Sequence, residues 1–63
     1  MAYYEMLIEH WVYAFLNWKK CHRNEDIIWA MHYEQMMLTT EVEMKKLVPT
    51  EEVKVYTDLF FNN

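Results

Sequence analysis
The sequence predicts an all-α fold: a small bundle of two or three helices, with helix 1 antiparallel to helix 2 and a short third helix after Pro49. Three observations lead there. The chain has no glycine and a single proline, and tight β-hairpin turns depend on glycine. Met, Leu, Glu, Lys, Gln and Ala, all favourable in helices, recur throughout. Apolar residues in the first two segments repeat three and four apart, the spacing of a helical face. With 63 residues and no repeat, linker or low-complexity stretch, the chain forms one helical domain over 1–63.

The first helix is expected over Ala2–Lys20. Tyr4, Leu7, Ile8, Trp11, Phe15 and Trp18 follow one face, whereas Met6, Tyr13 and Leu16 lie elsewhere. Glu5 and Glu9 mark a narrow polar edge. A helix apolar over so much of its circumference belongs at the centre of an assembly. Lys19, Lys20 and Arg23 sit where cations favour a helix C-terminus.

For the second helix, Asn24 serves as the predicted N-cap, with Glu25 and Asp26 placing negative charge in the first turn. Ile27, Ile28, Met31, Gln35, Leu38 and Val42 trace one face. Trp29, Tyr33, Met36 or Met37, Thr40, Met44 and Leu47 trace another. Thr40 and Glu43 match a capping box that would break the helix at Thr39-Thr40. A continuous or bent helix reaching Lys46 is preferred.

Val48-Pro49-Thr50 stops that helix, because the residue before proline is pushed out of helical geometry. Thr50 is the expected cap of a third helix, with Glu51 and Glu52 in its first turn. The segment beyond is ambiguous by pattern. Val53, Tyr56 and Phe60 share a helical face, but Val53, Val55, Thr57, Leu59 and Phe61 alternate as a strand would. The capping signal favours a helix.

Composition then points to a surface role. The chain is 54% hydrophobic and carries three Trp, five Tyr, three Phe and six Met. A chain of this length buries only about 60% of the surface its unfolded form exposes, too little to hide all of them. Half-burial with polar tips in water accounts for some. The preferred reading is that others form a contact surface for another chain. Trp and Tyr dominate binding hot spots, and Met adapts to irregular partners. The candidates are Trp11, Phe15, Trp18, Trp29 and Tyr33, with Met36 and Met37. The stretch WVYAFLNW, residues 11–18, is expected to pack on helix 2 from one side and on a second copy from the other. The result would be a symmetric homodimer burying helix 1.

The formal net charge of -4 is uneven, with the acids concentrated in residues 25–63. This excludes the basic footprint of direct nucleic-acid binding and attraction to anionic membranes. No run of about 20 apolar residues is present to span a bilayer. A lone Cys21 cannot form an internal disulfide, and the N-terminus lacks a basic signal region. A cytoplasmic location follows as the expectation.

No reactive constellation emerges. His10, His22 and His32 lack the i, i+4 pairing of a zinc motif, so no metal or cofactor is expected. Cys21 lies near Lys20, His22 and Arg23, which would lower a thiol pKa, but a helix C-terminus opposes a thiolate. The run Lys19–Arg23 is too short to outweigh the acidic remainder as an anion patch. The functional expectation is a small acidic, non-enzymatic interaction module that regulates or inhibits a larger protein. The rivals are a DNA mimic and a purely structural homo-oligomeric subunit. Mimicry needs Glu41, Glu43, Glu51, Glu52 and Asp58 on one face.

Overall fold
The computed structural model describes residues 2–62, so the outermost residue at each end of the expected domain lies outside the described residues. It contains α1 (Ala2–Arg23), α2 (Ile27–Lys45) and α3 (Thr50–Phe61). No strand occurs among the described residues. At 1.5 Å per residue α1 is about 33 Å long, which accounts for the 34 Å long axis of the molecule. Helices α1 and α2 form an antiparallel hairpin. Trp11 bonds Glu41 and Tyr13 meets Tyr33, so partners descend along α2 as they ascend along α1.

The hairpin turn differs from expectation in its caps. Helix α1 runs past Lys20 to Arg23 and closes with a Schellman arrangement. The Asp26 N–H donates to the Cys21 carbonyl at 2.8 Å, and the Glu25 N–H to that of His22 at 3.2 Å. Glu25 occupies the left-handed position, with φ 59°. Asn24 is consumed by this turn at the C-terminus of α1 and does not cap α2. The N-cap of α2 is Asp26, whose carboxylate accepts from the Trp29 N–H at 3.4 Å. Glu25 and Asp26 therefore precede the first turn of α2 and do not lie in it.

Helix α2 passes through Thr39-Thr40 without a break. Both hydroxyls donate to the carbonyl four residues back, Thr39 to Gln35 at 2.9 Å and Thr40 to Met36 at 2.7 Å. Thr40 is thus satisfied inside the helix, and the capping box does not form. At α3 the cap is Pro49, not Thr50. Pro49 has ψ 148°, and its carbonyl accepts from the N–H groups of Glu52 and Val53. Thr50 is the first helical residue, and Glu51 and Glu52 occupy the first turn as expected.

The core holds Leu7, Trp11, Ala14 and Phe15 from α1, Met37 and Met44 from α2, and Val53 from α3. Helix α1 buries the face its spacing predicts. Helix α2 turns its second face inward, with Ala30, Met37, Thr40 and Met44 buried. Helix α3 is helical through the ambiguous segment. Val53 and Thr57 are buried and Phe60 packs against the core, while Val55 and Leu59 of the alternating set face outward. Thr57 takes the inward place expected for Tyr56, which lies at the exposed margin.

Trp11 is 2% exposed and meets rings from both ends of the chain. Trp11→Ala is expected to cost about 3–5 kcal/mol, most of the stability of so small a domain, and to abolish a cooperative urea transition. Tyr4 supplies the opposite case. Its hydroxyl is buried without a hydrogen-bond partner among the described residues. Burial, then the nearby Glu52 and Tyr56, push its phenol pKa up. Tyr4→Phe removes that unpaired group and should raise the urea midpoint, by about 0.5–1 kcal/mol in stability.

Candidate functional site
The residues singled out as partner anchors divide into two groups. Trp11, Phe15 and Met37 lie in the chain's own core, where α2 and α3 cover them. Trp11 and Phe15 form the side of α1 expected to pack within the chain, whereas Tyr13 and Leu16 on its other side are 55% and 56% exposed. Trp18 and Met36 are half-buried at the core margin. Trp18 is fixed by the His22 ring at 4.6 Å and the Phe61 ring at 5.8 Å. Trp29 is 54% exposed, and Tyr33 is half-buried beside it.

Trp29 and Tyr33 belong to a cluster built across the hairpin. The Asp26 cap starts α2 one turn before Trp29, so the indole stands on the first ordered turn. The Trp29 ring lies 6.3 Å from Tyr33 and 5.4 Å edge-on from His32. Tyr33 meets His32 at 5.3 Å and Tyr13 of α1 at 6.2 Å. Partial burial, followed by the hydrogen bond it shares with Tyr13, pushes the Tyr33 phenol above its ordinary pKa. Tyr33 thus keeps its proton and stays an uncharged aromatic side chain. Next to it opens a shallow hollow of about 290 Å³ between the Trp29 and Tyr33 rings and the Lys20 and Cys21 end of α1.

Tyr13 and His32 were not singled out from the sequence. Tyr13 lies off the main apolar face of α1, and only its position opposite Tyr33 in the antiparallel hairpin brings it into the cluster. Pairing the two helices end to end would have found it.

A second surface runs along the outer side of α2. Ile28 is 81% exposed and Met31 65%, while Leu38 and Val42 remain at least half exposed. These belong to the first of the two faces read from the spacing. No protein family, curated protein or solved structure matches this chain.

The acidic residues do not form one face. Glu41 turns toward α1 and accepts the Trp11 indole N–H at 2.9 Å. Glu43 is bonded to Lys46 at 2.8 Å, and that ammonium holds its carboxyl below the usual range. Glu51, Glu52 and Asp58 remain exposed on α3 with Lys54 among them. Among the described residues no group of three or more His, Cys, Asp or Glu is placed to hold a metal ion. No helix there is long and apolar enough to cross a membrane.

The turn beneath the cluster carries its own test. A non-glycine residue at positive φ is strained, and Glu25 sits there. Glu25→Gly should raise stability by about 0.5–1 kcal/mol, read as a higher thermal midpoint with an unchanged helical spectrum.

Proposed function
We propose that this protein is a non-enzymatic interaction module, which regulates or inhibits a larger protein by covering one of its surfaces with the Trp29 cluster. The observation that carries this reading is the state of Trp29. Its indole is half exposed, yet it is held among His32 and Tyr33, with Tyr13 behind them. A preordered aromatic side chain loses little conformational freedom on binding, and Trp and Tyr supply the largest hot-spot energies. Met36, half-buried on the same side of α2, adds an adaptable apolar margin. DNA mimicry is less well supported, because Glu41 and Glu43 are engaged by Trp11 and Lys46.

The test is affinity capture with the full chain, the retained protein being identified and its affinity measured. Trp29→Ala should weaken capture at least about tenfold while leaving the helical spectrum and urea midpoint nearly unchanged. A double charge reversal, Glu51→Lys with Glu52→Lys, should leave capture intact. Capture that ignores Trp29 but is lost on charge reversal would transfer the proposal to mimicry.

A further inference from the structure
The outer face of α2 has the register of a two-stranded coiled coil. Ile28, Met31, Gln35, Leu38 and Val42 alternate three and four apart, the a and d positions of a seven-residue repeat. The run ends at Lys45 in the next d position. Branched Ile28 and Val42 at a, with Leu38 at d, are the choices that favour pairing in twos. Helices α1 and α3 leave this face uncovered, as the exposure of Ile28 and Met31 shows.

We infer that the occupant of this face is a second copy of the chain, its α2 lying parallel across a two-fold axis. Two observations select this occupant and this direction. The first is charge. Glu41 flanks the seam on one side and Lys46 on the other, the g and e positions that face each other between parallel strands. Parallel pairing therefore sets Glu41 of each copy against Lys46 of the other. Antiparallel pairing brings Glu34 and Glu41 together as like charges. Both groups retain capacity for the new contact. A carboxylate accepts at two oxygens and an ammonium donates three times, while Glu41 commits one oxygen to Trp11 and Lys46 one bond to Glu43.

The second observation is Gln35, the lone polar residue between Ile28 and Val42 in the seam. Parallel symmetry stacks Gln35 on its own copy, where the two amides hydrogen-bond each other. An antiparallel seam sets it against an apolar side chain, leaving the amide unpaired. A strip one helix wide and about 22 Å long buries less than the roughly 800 Å² per partner of a standard interface. The dimer is accordingly concentration-dependent. It uses the flank of α2 away from Trp29, so it stands apart from the function proposed above.

Sedimentation equilibrium of the purified full chain tests it, together with Gln35→Cys in a Cys21→Ser background under oxidation. The mass should rise from 7.9 kDa toward twice that value as concentration climbs through about 1–100 μM. Met31→Lys and Leu38→Lys should each hold the mass at the monomer value with the helical spectrum retained. Both variants reduce the net negative charge, so general repulsion cannot account for a lost dimer. The Gln35→Cys variant should cross-link to itself, and Trp29→Ala should dimerise like the parent, which separates failure here from failure of the aromatic reading. A monomer at about 1 mM, or a dimer indifferent to both lysine variants, overturns the inference. A seam-dependent dimer that does not cross-link overturns its parallel register.

Discussion
The indole of Trp11 sets the relation of the three helices. It lies flat on Phe15 of its own helix, with centroids 5.3 Å apart and an 8° interplanar angle. Phe60 and Phe61 of α3 approach it at 5.5 and 6.0 Å, tilted or edge-on. Its N–H donates to Glu41 of α2 at 2.9 Å. Such ring geometry places positive edges over negative faces and adds to the area the rings remove from water. The hydrogen bond satisfies a donor that would otherwise be buried unpaired. Helix α3 makes much less contact with the hairpin than α1 and α2 make with each other, so these aromatic contacts are a large part of what docks it.

That same bond lies on the side of α2 that faces α1. Helix α2 is apolar on two sides, and either could close a core. Met37, Thr40 and Met44 turn inward, and Ile28, Met31, Leu38 and Val42 turn out. Buried Ala14 and Ala30 contribute as well, since small side chains let helix axes approach closely. The exposed seam is thus a consequence of how the core is assembled.

This explains how far the fold and its surfaces are readable from residues alone. Periodicity reports which residues share a face, and for α1 that face is the buried one. It does not report which of two apolar faces a neighbour covers, so spacing alone leaves the two sides of α2 equivalent. For the same reason Trp11 and Trp29 look alike as candidates, although one is core and the other surface. The caps shift by a residue or two, Asn24 to Asp26 and Thr50 to Pro49, because a Schellman turn and a proline carbonyl satisfy the helix ends first. Thr40 does not break α2, because its hydroxyl has a carbonyl within the helix to bond. The site across the hairpin needs Tyr13 opposite Tyr33, a tertiary relation that spacing within either helix does not contain.

Size sharpens the meaning of what remains outside. A globular monomer of 7.9 kDa typically exposes roughly 4,400 Å², and this chain exposes 4809 Å². The chain thus exposes somewhat more surface than is typical for its mass. Ile28, Met31, Leu38 and Val42 contribute to that exposed surface. Those outer side chains add little to the stability of a single copy, and they carry the association risk of any exposed apolar strip. The net charge of -4 offsets that risk by keeping separate molecules apart. In the proposed dimer, Glu41 against Lys46 at the seam would relieve the same repulsion only where two copies meet in one register. Charge that repels in general and attracts in one geometry is how an apolar strip becomes a selective contact.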